Sequence, residues 1–457
     1  MPDIPKFFTR RRWIVFLGGV PTLLVLAAVL AAAALPMFRF AGPALNQEAR
    51  AIAAAAVFGG SYFALAIGKI PGLSIDRAGI ALTGASLMLA AGVLTPEEAY
   101  RAIDLDTIVL LLGVMIVVAN LRLSGFFAVV AARCAVFADR PVALLCAVTA
   151  ASGFFSAFLV NDAICLVLAP LVLDLTQRMG RRPMPYLLAV AMASNAGSVA
   201  TITGNPQNIM IGSFSEIPYT SFALALTPVA LAGMVLTVAL TVLLHRAEFA
   251  ASVRPIPPPA RPRANRVPVA RALLARALLA TGAMVALFFA GQAPAKAAIV
   301  VGGCLLLTRR VKTTRIYQEI DWSLLLMFAG LFVIVAGAQR ALLTRETIAA
   351  VGQMHLDRVP VLAGVSAVLS NLVSNVPAVL VLKPFVEGLA NRDTAWLTVA
   401  MASTLAGNFT VLGSIANLIV VQKAAARGVA IGFWDYFRVG APLTVLTLLL
   451  GTVWMAR

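Results

Sequence analysis

Apolar residues in this chain run on without the strict alternation of a half-buried strand and without the polar stripe of a surface helix. Short basic or Pro/Gly-containing loops interrupt them. Such runs predict membrane-crossing helices, because a hydrocarbon core of roughly 30 Å takes about 20 apolar residues in helical form. Full spans are expected at 13–35, 50–68, 77–94, 104–121, 186–211, 222–244, 272–290, 295–308, 320–339, 395–421 and 438–455. Two more apolar segments, 141–176 and 359–390, carry Asn, Ser, Asp or Pro midway and polar loops at both ends. Each predicts a re-entrant hairpin, tolerated only where its non-helical tip is buried in protein or faces water. The pattern thus predicts an all-α polytopic membrane protein with about 11 transmembrane helices plus two re-entrant hairpins.

Composition agrees and removes the alternatives. Hydrophobic residues make up 61% and charged residues 12% of the 457, with a mean hydropathy of +0.94, against ~45–50% and ~25% in ordinary globular proteins. A soluble enzyme and a disordered chain are excluded, and a β-barrel would alternate. The net charge of +17 does not point to nucleic acid, since Lys and Arg sit in short loops between spans. That is the positive-inside pattern: Lys6, Arg10, Arg11 and Arg12 hold the N-terminus in the cytoplasm, and an N-in, C-out topology places most of the 36 Lys and Arg on that side. The first run also exceeds the roughly 7–15 apolar residues of a signal peptide. The expected location is the bacterial inner (plasma) membrane, with the lipid bilayer as partner.

Between the two halves lies a Pro/Arg-rich stretch, 247–270, with Pro255, Pro257, Pro258, Pro259 and Pro262 among arginines. It predicts an extended cytoplasmic linker, either solvated or touching anionic lipid. Across it the chain repeats. Ile103-Asp104 and Gly113 recur 217 residues on as Ile320-Asp321 and Gly330; Ser156, Asn161 and Pro170 recur 214 residues on as Ser370, Asn375 and Pro384. Ala191-Met192-Ala193-Ser194 recurs 209 residues on as Ala400-Met401-Ala402-Ser403, and Gly204-Asn205-Pro206-Gln207-Asn208 as Gly413-Ser414-Ile415-Ala416-Asn417. Each unit holds five crossings and one hairpin, so the second copy enters the membrane inverted, the arrangement of many secondary transporters. The expected organisation is an extra N-terminal helix in 1–45, repeat one in 46–246 (hairpin 141–176, broken helix 186–211), the linker, and repeat two in 271–457 (hairpin 359–390, broken helix 395–421).

A central Asp costs roughly 2.5–3.5 kcal/mol on insertion scales, so polar residues inside spans are the candidate site. They gather at the hairpin tips (Ser156, Asn161 and Asp162; Ser370, Asn371, Ser374 and Asn375) and in two helices predicted to break (Asn195, Thr203, Asn205 and Asn208; Thr404, Ser414 and Asn417). Pro206 and Gly204 break the first sharply, whereas the second lacks the proline and is expected to break less. Breaks expose positive helix N-termini, which suit an anion, and free carbonyls, which suit sodium; the alternative is that these residues cap turns or bind neighbouring helices. Asp162 reads as a proton or cation coupling site, or as a carboxyl capping the returning arm. Lys383 either neutralises an anion or snorkels outward. Asp174 and Arg178 read as a surface pair. Cys134, Cys146, Cys165 and Cys304 read as small core residues, and His245 and His355 are isolated. Nothing here forms a nucleophile, metal cluster or acid/base pair, so no enzyme and no cofactor are expected beyond sodium or protons as coupling ions.

With these motifs placed, the chain resembles the ion transporter superfamily, which includes divalent anion/sodium symporters, arsenite and antimonite efflux permeases and one group of sodium/proton antiporters. Val160-Asn161-Asp162-Ala163 with Pro170 looks like the hairpin of the arsenite-permease branch. Thr203-Gly204-Asn205-Pro206-Gln207-Asn208 and Ser370-Asn371-Leu372-Val373-Ser374-Asn375-Val376-Pro377 look most like its uncharacterised anion-permease relatives. The resemblance implies a scaffold domain and a mobile transport domain, usually in a homodimer, with elevator-like alternating access. It carries a sodium-binding role onto Asn161, Gly204, Asn375 and Gly413. Dicarboxylate members have Ser-Asn-Thr at both tips; here both threonines are absent, which argues against di- and tricarboxylates. The leading expectation is a secondary active transporter of a small anion, inorganic oxyanion or organic acid, coupled to sodium or protons. The alternatives are a sodium/proton antiporter and an arsenite/antimonite efflux permease.

Overall fold

Prolines punctuate this fold by starting helices. Pro96, Pro141, Pro183, Pro206 and Pro294 each occupy a first helical position, where the missing N–H costs nothing because that amide has no intrahelical acceptor. In the computed structural model, which describes residues 46–67, 75–137, 139–250, 271–307, 311–342 and 353–457, all regular structure is helical among the described residues. The expected span 13–35 and most of the linker lie outside them. The helices are α1 (Gln47–Ile67), α2 (Arg77–Ala90), α3 (Pro96–Ala102), α4 (Leu105–Leu123), α5 (Phe126–Cys134), α6 (Pro141–Leu159), α7 (Asn161–Arg178), α8 (Pro183–Ser198), α9 (Pro206–Ser215) and α10 (Tyr219–Leu244). There follow α11 (Arg246–Phe249), α12 (Arg271–Phe289), α13 (Pro294–Leu306), α14 (Thr313–Tyr317), α15 (Trp322–Leu342), α16 (Val359–Val373), α17 (Asn375–Glu387), α18 (Arg392–Ala406), α19 (Ile415–Ala425) and α20 (Phe433–Met455). Six of them, α4, α6, α10, α12, α15 and α20, are long and apolar enough to cross a membrane. The short α3, α5 and α14 occupy stretches expected to be loops.

The chain divides into two compact units. In the first, α15 packs on α1 and α2. Gly330 allows this approach: a Cβ there would lie 2.6 Å from the carbonyl carbon of Ala81. Thr95 and Glu98 close a capping box at the start of α3. The Thr95 amide, with Arg340 paired beside it, holds the Glu98 carboxyl below the usual carboxylate range.

The second unit holds α4–α14 and α16–α20. Here α4 packs on α13, and a Cβ on Gly113 would lie 2.5 Å from the carbonyl carbon of Ala298. Gly113 and Gly330, and likewise Ala81 and Ala298, are 217 residues apart, so one close-packed contact occurs once within each unit. Hairpins α6/α7 and α16/α17 fold back on themselves and pack against α8 and α18 respectively. Asp174 does not pair with Arg178 as expected: it faces Arg427, which also donates to the Pro170 carbonyl at 3.0 Å. A one-turn spacing permits a pair on one helix, but the approach of the α19 end supplies a cation that bonds two groups at once. Both side chains are 40% or more exposed, so Arg427→Ala is expected to cost less than about 1 kcal/mol, measured as a small shift in thermal unfolding of the purified protein.

Candidate functional site

The two helix breaks follow one local plan. After α8 ends, a 3₁₀ turn at Ile202–Gly204 leads to Asn205 in extended conformation (φ −156°, ψ 164°) before α9. After α18 ends, a 3₁₀ turn at Val411–Gly413 leads to Ser414, also extended (φ −145°, ψ 145°), before α19. The second break is therefore as sharp as the first, contrary to the expectation based on its missing proline. Asparagine explains it. Asn208 Nδ2 donates to the carbonyls of Ser198 (3.1 Å) and Thr201 (3.0 Å); Asn417 Nδ2 donates to those of Gly407 (2.7 Å) and Thr410 (3.1 Å). Each carboxamide satisfies carbonyls that an interrupted helix leaves open, which proline, having only a donor to lose, cannot do. Glycine is demanded at both breaks by close approach, since a Cβ would lie 2.0 Å from the Ser198 oxygen at Gly204 and 2.7 Å from the Gly407 oxygen at Gly413.

The hairpins turn at single residues, Val160 (φ 62°) and Ser374 (φ 80°). Both are non-glycine and left-handed, a conformation that costs on the order of 1–3 kcal/mol and persists only where neighbours impose it. At the first tip, Ser156 Oγ lies 2.9 Å from Ser194 Oγ, which donates to the Asn161 carbonyl at 3.2 Å, and Asn161 Nδ2 donates to Asn195 Oδ1 at 2.9 Å. At the second, Ser370 Oγ donates to the Ser403 carbonyl at 2.9 Å. The Asn375 carboxamide satisfies its surroundings when Nδ2 faces Ser370 Oγ (2.6 Å) and the Gly413 carbonyl (3.2 Å) while Oδ1 accepts from Gln207 Nε2 (3.2 Å).

Asn195 ties the tips to the breaks. Its Oδ1 accepts from Asn161 and from Ser414 Oγ (3.1 Å), and its Nδ2 donates to Asn408 Oδ1 (2.9 Å) and Asn417 Oδ1 (3.0 Å). Thr404, 209 residues on, plays the corresponding part: Oγ1 accepts from Asn205 Nδ2 (3.1 Å) and Gln207 Nε2 (3.0 Å) and lies 3.5 Å from Asn208 Oδ1. Asn195, Asn205, Asn208, Thr404, Asn408 and Asn417 are fully buried. Through these bonds the N-termini of α7, α9, α17 and α19 gather at one polar centre, within one unit, built from carboxamides and hydroxyls.

Thr203 and Asn371 make their bonds elsewhere. Thr203 Oγ1 turns to Tyr219 Oη at 2.8 Å. Asn371 Nδ2 bonds the Ala367 (3.1 Å) and Ala406 (3.0 Å) carbonyls. Asp162, half-buried, occupies the first turn of α7 beside Asn161. Lys383 Nζ lies 3.9 Å over the Phe214 ring and 3.8 Å from Glu387, so its charge is matched outside the network. Asn408 and Gln207 were not among the expected ligands. Both lie within the two broken helices, and burial of an uncompensated polar group was the available signal. Among the described residues no cluster of His, Cys, Asp or Glu could hold a metal.

The described residues form a helical, strongly apolar fold with interrupted helices around a buried polar centre, and the comparisons with known proteins make this chain a membrane transporter. It belongs to the citrate transporter family CitMHS, whose model matches residues 62–406. It is 28% identical to a 46 kDa membrane protein of Mycobacterium leprae over 401 residues, covering 83% of this chain and 94% of that protein. It is 28% identical to the silicon efflux transporter LSI3 of Oryza sativa subsp. japonica, over 89% and 98% of the two chains. Identity to the putative transporter arsB of Dictyostelium discoideum is 24%, over 83% and 87%. Its fold is similar to the crystal structure of the YdaH transporter of Alcanivorax borkumensis, with a TM-score of 0.57 at 14% identity, over 95% and 97% of the chains. The chain is thus a transporter and not an enzyme.

Proposed function

We propose that this protein is a secondary active carrier of a small, weakly charged oxyanion or its oxyacid, coupled to sodium or protons, in a bacterial inner membrane. The observation that carries this reading is the gathering of four helix N-termini at a buried centre whose side chains are neutral. Each N-terminus contributes a positive potential equivalent to roughly half a charge; together they suit an anion of low charge, and the Asn and Ser groups suit its hydroxyls and oxygens. Citrate would bring up to three carboxylates to a network containing no Arg or Lys. The name of the rice silicon efflux transporter favours a silicate-like substrate, and the resemblance of the first hairpin to the arsenite-permease branch favours an arsenite-like one. Recurrence of tip, break and glycine contacts at fixed offsets supports two inverted repeats, with eleven crossings and re-entrant hairpins, and hence elevator-like alternating access, in a homodimer as the resemblance implies. Asn161, Asn375, Gly204 and Gly413 are the cation-binding positions in this reading, and Asp162 the coupling group.

Proteoliposomes test it. Arsenite or silicate flux driven by an imposed sodium or pH gradient is the expected result, with Asp162→Asn folding normally and losing gradient-driven accumulation at least tenfold. Transport of citrate alone would overturn the substrate class, and unimpaired accumulation by Asp162→Asn would overturn its coupling role. Asp162 also favours a second reading, a sodium/proton antiporter, which exchanges the two cations without any added anion.

A further inference from the structure

The tip of the first hairpin enters the polar centre; its entering arm, α6, borders a concavity of a different kind. The short helix α5 and the turn after it pack beside α6 and leave a cavity of about 380 Å³ lined by Phe126, Val129, Val130, Phe137, Ala147 and Ala151. Ala147 and Ala151 are one turn apart on α6, so their small side chains open a groove along one helix face. The volume falls within the roughly 300–1,000 Å³ of pockets that hold small molecules. A water-soluble ligand would bring polar groups that such walls leave unpaired. A hydrocarbon chain brings none. Around the cleft Val136 is 74% exposed and Phe154 60%, an apolar surface of the kind that meets lipid. One wall residue is charged: Arg133, in the last turn of α5, exposed. None of the ion pairs among the described residues involves it, whereas Arg122, at the end of α4, is matched by Glu319. Arg140 follows at the start of α6, so the segment 133–140 holds two arginines against the single acid Asp139.

We infer that this cleft is a binding site for one anionic glycerophospholipid, with an acyl chain lying between α5 and the Ala147/Ala151 groove and the phosphate meeting the Arg133 guanidinium. The two parts select the ligand together. A guanidinium presents a planar fork of donors that suits phosphate oxygens, and the apolar cavity beside it has a use for a phosphate only when a hydrocarbon chain is attached. The N-in topology expected from the charge pattern puts this end of α5 at the cytoplasmic leaflet, where anionic headgroups draw basic residues. A lipid held there joins α5 to the entering arm of the first hairpin.

The inference needs only a membrane-embedded chain and holds whichever solute is carried. Its test is photo-crosslinking of the purified full-length protein in mixed micelles, using phosphatidylglycerol with a photoactivatable acyl chain and phosphatidylcholine with the identical chain, followed by peptide mapping. Phosphatidylglycerol is expected to label residues 126–151 of the wild type about fivefold more than phosphatidylcholine, the preference that one basic residue near a bilayer surface supports. Arg133→Gln is expected to bring the two lipids level, and Arg122→Gln, which removes a paired arginine nearby in sequence, to leave the preference intact. Filling the groove with Ala147→Phe and Ala151→Phe is expected to remove the label from both lipids. Should that double variant not fold, Arg133→Gln still decides, because its side chain is exposed. Equal labelling of wild type by the two lipids, the mark of annular lipid only, overturns the inference. So does a preference that survives Arg133→Gln, or the absence of label from 126–151, the result if a second copy or another part of this chain covers the cleft.

Discussion

Asn195→Ala is expected to destabilise the protein by roughly 3–5 kcal/mol and to abolish transport. Four hydrogen bonds end at this one carboxamide, and every partner lies in the buried centre: Asn161 and Ser414 donate to it, while Asn408 and Asn417 accept from it. The size lies between two bounds. Hydrogen bonds between membrane helices average about 0.6 kcal/mol each, so four set a lower bound of about 2.4 kcal/mol, whereas stranding several buried polar groups at about 1–3 kcal/mol each sets a higher one. Asn408 and Asn417 keep other bonds through Nδ2, to the carbonyls of Met192 and of Gly407 and Thr410, so the loss falls on their oxygens. Asn195→Asp is expected to be worse than alanine, because both groups facing Asn408 and Asn417 would then be acceptors. Thermal unfolding in detergent checks the order Asp, then Ala, then wild type; an alanine variant within about 1 kcal/mol of wild type would show that the network contributes geometry without stability.

Gly197→Ala is the second large effect, with an expected loss of about 3 kcal/mol or more. A Cβ on Gly197 would lie 2.2 Å from the carbonyl oxygen and 2.4 Å from the Cα of Gly153, so α6 and α8 meet backbone to backbone. Nothing there can rotate away, and an overpacked core of this kind costs about 1–3 kcal/mol or more. The other glycine of the contact behaves differently. A Cβ on Gly153 would meet the Met234 side chain, sulfur at 2.5 Å, and a flexible thioether can yield. Gly153→Ala is therefore expected to cost less than about 1.5 kcal/mol. Measuring both variants by thermal unfolding separates backbone contact from side-chain contact at one crossing; equal effects would refute the distinction.

Much of this was legible in the chain. Runs of apolar residues place the long helices, and Asn161, Asn375, Gly204 and Gly413 could be chosen because each has a repeat mate. Symmetry and single residue types mislead where long-range hydrogen bonds decide the local structure. Proline marks the break after α8, but Asn417 breaks α18 from α19 by bonding carbonyls ten and seven residues earlier, a reach that local propensity does not describe. Gln207 and Asn408 are visible as polar residues in broken helices, but only the fold shows that each bonds to the opposite repeat, at Thr404 and Asn195. Arg427 reaches Asp174 only through tertiary packing, which no helical spacing encodes.

The four helix N-termini at the centre have a bearing on how such a carrier can diversify. The positive potential there is written into peptide bonds, which no codon change removes while the helices persist. In the anion-carrier reading proposed above, side chains around it are free to vary: exchanging one hydroxyl or carboxamide would alter which solute is recognised without deleting the attraction for negative charge. A mutational scan would accordingly find selectivity spread over many neutral residues and no single position at which anion affinity is switched off.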